Sequence, residues 1–192
     1  MIETPKHVYH ASSAQGLQRI VPSPGIHGTW VFAVGDRALA AAFLSTLGGD
    51  LTCAVGRDPA TGCPYICERF AGAFDERYAG AAGSIYVLDG VRFRSGVTPW
   101  EEEFVCDGVV RPRAEIPVSD AARHIEELAA AGRMTIARYP KRIAGIPEDD
   151  LDLVERAVEW ATRSGSDALK AFAEYHPGLL DRIREALAAS AG

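Results

Sequence analysis

The order in which short strands and helices follow one another constrains the fold of this chain more than any other feature of its sequence. Up to about residue 146, runs rich in β-branched and aromatic residues alternate irregularly with short alanine-rich helical stretches. The clearest strand runs are "TWVFAV", "LTCAV", "PYICERF" and "GSIYVLDG". A doubly wound parallel sheet needs regular β-α-β units, which this order lacks. The sequence therefore predicts an α+β fold.

Individual segments give more local predictions. "LTCAV" and "PYICERF" are predicted to form a hairpin across the turn-rich "GRDPATGC". Helical spacing predicts a helix in "SAQGLQRIV", and Asp36 is expected to cap a helix that Gly48 and Gly49 close. A third helix is predicted in "SDAARHIEELAAAG", capped by Ser119 or Asp120.

From Pro147 onward the character of the chain changes. Three amphipathic helical stretches follow with almost no strand signal, so residues 147–192 are predicted to be a helical extension that packs on the domain formed by residues 1–146. Leu151, Val154, Val158 and Trp160 are expected to face inward. The alternative is that this extension binds a partner protein.

The chain has 192 residues and a net charge of -6, which argues against binding nucleic acid by bulk electrostatics. No apolar run is long enough to cross a bilayer, and the first residues lack signal-peptide features, so we expect a cytoplasmic protein that makes no membrane contact. The four cysteines are interpreted as free thiols, because the spacing of Cys63 and Cys67 has no matching second pair of metal ligands.

Three successive glutamates precede the apolar residues of "EEEFVCDGVV", a predicted strand. Because side chains alternate along a strand, Glu101 and Glu103 are expected to share one face and Glu102 to point the other way. Two neighbouring carboxylates repel each other, which fits a cleft that uses their charge. The alternative is a solvated edge whose charges discourage aggregation.

His10, at the end of the first strand, has two interpretations. Its imidazole is either a ligand-holding group or an ordinary structural residue. Phe32 in "WVFAV" and Phe43 in the following helix are expected to be core aromatics unless they line a site.

Taken in order, "VYHASS", "WVFAVGDRALAAAFL" and "WEEEFV" resemble the ADP-ribosyltransferase superfamily, including uncharacterised bacterial members, over residues 7 to 110. The helix and strand up to about Pro140 would complete the domain. The resemblance implies a split, mostly antiparallel sheet with flanking helices that binds NAD as substrate and needs no metal. His10 would match the family histidine that hydrogen-bonds a ribose hydroxyl of NAD, and Ala11 would meet the nicotinamide amide. Phe32 would match the tyrosine that stacks on the nicotinamide ring, and Phe43 would cover the other side of that pocket.

The resemblance also implies that Glu103 is the catalytic acid and Glu101 an auxiliary carboxylate. The implied function is cleavage of the nicotinamide–ribose bond and transfer of ADP-ribose to water or to an unknown protein or nucleic-acid acceptor, as in a bacterial toxin-like effector with an antitoxin-like partner. Phe32 and Ala11 depart from the family's tyrosine and glycine. Two alternatives therefore stay open. One is a catalytically degenerate module that binds NAD, ADP-ribose or a nucleotide end, and the other is an RNA 2′-phosphotransferase-like enzyme.

Overall fold

The computed structural model describes residues 4–25, 27–47, 49–164 and 168–190. Its strands are β1 (His7–Ser12), β2 (Ser23–Gly25), β3 (Gly28–Val34), β4 (Cys53–Arg57), β5 (Pro64–Glu68), β6 (Gly83–Asp89), β7 (Arg94–Ser95), β8 (Glu103–Cys106), β9 (Ala114–Val118) and β10 (Thr135–Ala137). Its helices are α1 (Arg37–Ala41), α2 (Ala73–Tyr78), α3 (Ala121–Ala130), α4 (Leu151–Ser164), α5 (Ala168–Tyr175) and α6 (Leu180–Ser190). The predicted α+β class is confirmed.

The strands form two sheets. In the seven-stranded sheet the order is β7-β8-β3-β1-β6-β9, with β2 paired to β3, and every pairing is antiparallel. In the three-stranded sheet the order is β10-β5-β4, and only the pairing of β10 with β5 is parallel. The strand pairing is therefore mostly antiparallel, and the predicted β4–β5 hairpin is confirmed.

The larger sheet opens between β1 and β3. Strand β1 pairs with β6 along its whole length, from His7 to Ser12, but its register with β3 contains one pair, Tyr9 opposite Val34. Beyond that pair, the described residues of the two strands form no further ladder. This interruption leaves His10 and Ala11 beside a gap at the middle of the sheet.

Alternating side chains give the larger sheet two apolar faces. Val8, Val31 and Phe104 belong to the buried cluster on one face. Val34 and Ile85 face the other way, into a cluster that contains buried residues of α1, α2, α3 and both long strands of the smaller sheet. Both faces are therefore covered, and α1 packs directly against the second.

The prediction of a helix in "SAQGLQRIV" is wrong. Residues 13–22 form a loop in which Gly16 adopts a left-handed φ of 69°. Side chains of the sheet accept hydrogen bonds from the backbone amides of this loop. Glu115 accepts from Gly16 N, and the Tyr86 hydroxyl accepts from Leu17 N. These hydrogen bonds replace the helical ones that the sequence spacing suggests.

Helix α1 begins as predicted, because the Asp36 side chain accepts from Ala38 N, but it ends at Ala41. The guanidinium of Arg77 and the hydroxyl of Tyr78 both donate to the carbonyl of Ala42. These buried donors replace the backbone amide that would bind this carbonyl in a longer helix. The predicted continuation of α1 toward Gly48 is therefore wrong, and Phe43 lies in the turn that follows the helix. The predicted closing residue Gly48 lies outside the described residues.

Other predictions have mixed outcomes. Asp120 is the cap of α3, because its carboxylate accepts from Arg123 N, and Gly132 follows the helix with φ 67°. No helix or strand was expected in the segments that form α2 and β9. Strand β8 is shorter than predicted, because it begins only at Glu103.

The C-terminal helices pack on the rest of the chain through Leu51. Leu51 is buried in one cluster with Leu153, Val154 and Ala157 of α4 and with residues of α5 and α6. The expectation that Leu151 faces inward is wrong, since it is 41% exposed. The helices that the structure describes include none with the length and apolar character of a membrane span.

Candidate functional site

The gap between β1 and β3 holds a small cavity of about 120 Å³. Its lining residues are Tyr9, His10, Ala11, Phe32, Ala33, Val34, Ala40, Phe43, Trp100 and Glu103. The structure thus brings five of the six predicted site residues to one place, and the sixth, Glu101, is not among them. An apolar cavity of roughly 150 Å³ can hold a benzene molecule, so this one suits a single heteroaromatic ring.

His10 is fixed by the interruption of the sheet. Its Nδ1 lies 2.7 Å from the carbonyl oxygen of Phe32 on β3, the strand with which β1 stops pairing after Tyr9. A carbonyl only accepts, so Nδ1 carries the proton, and burial lowers the pKa of the imidazole even though this hydrogen bond raises it. A neutral His10 then keeps Nε2 as an acceptor for a ligand hydroxyl.

Phe32 forms part of the cavity wall and is backed by a glycine. A Cβ atom at Gly25 would lie 2.7 Å from Cζ of Phe32, so the end of the ring lies against the backbone of β2. Tyrosine would carry its hydroxyl on that same ring carbon. The position of Gly25 therefore accounts for a phenylalanine here.

Gly25→Ala is expected to displace the Phe32 ring and weaken ligand binding in the small cavity by about fivefold, which corresponds to roughly 1 kcal/mol. Titration calorimetry with NAD measures the change. Gly178→Ala is the matched control, because a Cβ there meets no atom within 4 Å. Equal affinities for both variants would contradict the assignment of Phe32 to the binding wall.

Phe43 and Trp100 form the opposite side of the cavity. Their ring centroids lie 5.6 Å apart at an interplanar angle of 58°, a favourable tilted arrangement. Phe43 comes from the turn after α1, and Trp100 from the turn before β8. Two turns far apart in sequence therefore complete the aromatic surface.

Glu103 opens β8 and shares a sheet face with Phe32. It lies opposite Val34 across the ladder, two residues along β3 from Phe32. Burial raises the pKa of Glu103, and a hydrogen bond with Thr98 and the charge of His27 partly offset that effect. The carboxylate is thus half-buried at the rim of the ring-sized cavity.

The pKa directions give an expected pH profile for any reaction that needs ionised Glu103. Activity should fall as pH decreases through a value above 4.5, because burial raises the pKa of Glu103 from that ordinary value. The rate as a function of pH checks this, and His10→Asn should keep the same acid limb if Glu103 causes it. A rate that falls only at or below pH 4.5, or an acid limb that His10→Asn removes, would contradict the assignment of this limb to Glu103.

The expected pairing of Glu101 and Glu103 on one strand face is wrong. Residues 101 and 102 lie in a turn that the hydrogen bond from Glu103 N to the carbonyl of Trp100 closes, at 3.1 Å. Glu101 is exposed there and lines neither cavity described here. Strand alternation does not apply to it, because the strand has not yet begun.

Glu102 positions this turn through Arg57 of β4. Arg57 donates to both carboxylate oxygens of Glu102, from Nε at 2.7 Å and from Nη2 at 2.9 Å. The same guanidinium lies 3.5 Å from Asp36, the cap of α1. Arg57 thus connects the start of α1 to the turn that carries Trp100 and leads into Glu103.

A larger cavity of about 380 Å³ adjoins the small one, and both are lined by Phe43, Trp100 and Glu103. Its other lining residues are His27, Asp50, Val55, Pro99, Arg156, Glu159 and Trp160. The last three come from α4, where their spacing places them on one helix face. Arg156 forms an ion pair with Asp50 across the cavity wall.

Sequence reasoning missed the contribution of α4, of His27 and of Trp100. Trp100 had a usable signal, because it directly precedes the three glutamates. Arg156 and Glu159 had none, since the local sequence of an amphipathic helix does not indicate which distant turn the helix will contact.

Comparisons of the chain with protein-family models, curated proteins and solved structures find no match.

Proposed function

We propose that this protein binds NAD with the nicotinamide ring in the small cavity and cleaves the nicotinamide–ribose bond, transferring ADP-ribose to an acceptor or to water. The observation that carries the proposal is the convergence of His10, Ala11, Phe32, Phe43 and Glu103 on a cavity of about 120 Å³. These residues come from four segments of the chain, β1, β3, the turn after α1 and β8, which meet at the split in the sheet. A ring-sized aromatic cavity with one carboxylate at its rim suits this chemistry.

The reaction requires stabilisation of positive charge. As the bond from ribose C1′ to the ring nitrogen breaks, both electrons leave with neutral nicotinamide and the ribose becomes oxocarbenium-like. Ionised Glu103 stabilises that charge more in the transition state than in the ground state. The acceptor then forms a bond to C1′ and loses its proton.

The other residues hold the substrate. Neutral His10 offers Nε2 to a ribose hydroxyl while its Nδ1–H donates to Phe32. Phe43 and Phe32 provide apolar contact for the ring, and Ala11 provides backbone groups for its amide. Positioning of this kind contributes by holding the reacting bond in a productive geometry.

The direct test is to incubate the purified protein with NAD and measure free nicotinamide by chromatography, with and without bacterial lysate as a source of acceptors. Release above the buffer blank, lowered by His10→Ala mainly through a higher KM, is the expected result. Absence of release in both conditions would overturn the proposal of turnover.

One observation favours a second candidate, a module that binds NAD or ADP-ribose without cleaving it. Phe32 has no hydroxyl, and Gly25 packs against Cζ, the ring carbon that carries the hydroxyl in tyrosine. Calorimetry that detects NAD binding with no nicotinamide release would select this candidate. A 2′-phosphotransferase is less well supported, because three carboxylates and one arginine, itself paired with Asp50, line the larger cavity.

The remainder of NAD, or the acceptor, would occupy the larger cavity, because it adjoins the small one at Glu103. Helix α4 would then take part in substrate binding, and the helical extension would belong to the active unit. A protein that cleaves NAD inside a cell would need control of that activity, which an antitoxin-like partner would supply.

A further inference from the structure

A patch of arginines and exposed valines lies outside the candidate site, around a shallow cavity of about 670 Å³. The Arg/Val patch consists of Arg19, Val21, Arg92, Val109, Arg111 and Arg113. All but Val21 line that cavity, together with Asp89, Val110 and Pro112. In a chain of net charge -6, so local a concentration of positive charge needs an explanation.

An isolated antiparallel bridge arranges the patch. Ile20 and Val110 exchange both backbone hydrogen bonds, at 2.7 and 2.9 Å, and both side chains are buried. Because side chains alternate in extended chains, the residues on either side of them point outward. Arg19 therefore lies opposite Arg111, and Val21 lies opposite Val109.

This arrangement is unfavourable in the isolated protein. Like charges on neighbouring extended segments repel each other, and among the described residues no carboxylate forms an ion pair with Arg19 or Arg111. Val21 and Val109 are 55% and 46% exposed. Two cations and two aliphatic side chains thus lie together on a surface that a ligand of opposite charge would stabilise.

The neighbouring arginines are held in place. Arg92 donates to the carbonyl of Val109 at 2.9 Å, and Arg113 forms an ion pair with Asp89, the one carboxylate among the described residues that line this cavity. Fixed guanidinium groups lose less side-chain entropy when a ligand binds.

We propose that the Arg/Val patch is a docking surface for an acidic segment of another protein that carries aliphatic side chains between its carboxylates. Arg19, Arg111 and Arg92 would pair with the carboxylates, and Val21 and Val109 would contact the aliphatic groups. A nucleic acid fits less well, because valines offer nothing to phosphates and the acidic remainder of the chain repels a long polyanion. This inference is independent of the proposed NAD chemistry.

The experiment uses the full chain and a fluorescein-labelled peptide of alternating aspartate and leucine, with binding followed by anisotropy. We expect saturable binding that weakens about tenfold in Arg19→Glu/Arg111→Glu and about threefold in Val21→Ser/Val109→Ser. Arg123→Glu is the matched control, because Arg123 is exposed on α3, away from the patch, and it should bind like wild type.

Two further probes distinguish the possible occupants of the patch. A peptide of alternating asparagine and leucine should not bind, and oligothymidylate of the same charge as the acidic peptide should bind more weakly than that peptide. Tighter binding of the oligonucleotide, unaffected by the valine substitutions, would overturn the proposal in favour of nucleic acid. Equal peptide binding by wild type and Arg19→Glu/Arg111→Glu, no peptide binding at all, or a wild-type dimer that this variant dissociates would also overturn it.

Discussion

Glu103→Gln is expected to lower the rate of nicotinamide release from NAD by about 10²- to 10³-fold, with little change in the KM for NAD. The amide keeps the size of the side chain and its polar contacts at the rim of the cavity, but it removes the negative charge that faces the developing oxocarbenium ion. The loss should therefore appear in kcat. Steady-state measurement of free nicotinamide over a range of NAD concentrations separates the two parameters.

Glu101→Gln is the matched control for this substitution. It makes the same chemical change two residues away, on an exposed side chain that lines neither cavity, so its rate should stay within about threefold of wild type. Equal losses in the two variants would contradict the structural distinction between these glutamates, and no loss in Glu103→Gln would remove it from the chemistry.

Stability measurements on Glu103→Gln provide an independent check. Burial raises the pKa of Glu103 in the folded protein, so its ionisation opposes folding as pH rises through that pKa. At neutral pH the variant should melt no lower than wild type, and the difference should shrink toward acid pH. A variant that melts lower would mean that its activity loss reflects misfolding.

Arg69→Met is expected to cost about 3 kcal/mol of unfolding free energy. The Arg69 side chain has no exposed surface and donates to Asp152 at 2.6 and 2.9 Å and to Asp150 at 3.0 Å. Both carboxylates lie at the start of α4, so Arg69 attaches the helical extension to the end of β5. Its loss leaves the partly buried carboxylate of Asp152 without its ion-pair partner, whereas Asp150 keeps Arg142 at 3.3 Å. Urea unfolding measures the effect.

Arg123→Met is a suitable comparison, because the Arg123–Glu127 pair is largely exposed and should contribute less than about 0.5 kcal/mol. Arg69→Met should also alter the larger cavity, since the position of α4 determines where Arg156 and Trp160 lie. A loss below about 1 kcal/mol would show that the extension is held mainly by its apolar contacts with Leu51 and not by these ion pairs.

The sequence predicted the strands better than the helix boundaries. Runs such as "TWVFAV" and "GSIYVLDG" are apolar and β-branched, and both became central strands. The end of α1 could not be predicted, because the groups that bind the carbonyl of Ala42 come from Arg77 and Tyr78, far along the chain. The loop around Gly16 depends in the same way on Tyr86 and Glu115.

The candidate site followed a similar pattern. His10, Phe32 and Glu103 were identified from the order of three motifs, and the split between β1 and β3 brings them together. Glu101 was misplaced, because the triplet of glutamates gives no sign that the strand begins at its last member. The α4 residues of the larger cavity could not be found, since that contact depends on how the extension docks.

The most direct test of the central claim is a crystal structure of the protein soaked with nicotinamide. The expected result is the pyridine ring in the small cavity, in contact with Phe32 and Phe43, with its amide at the backbone of Ala11 and its ring nitrogen toward Glu103 and His10. Electron density for nicotinamide at another place, or an empty cavity at a ligand concentration that saturates binding in solution, would contradict the account.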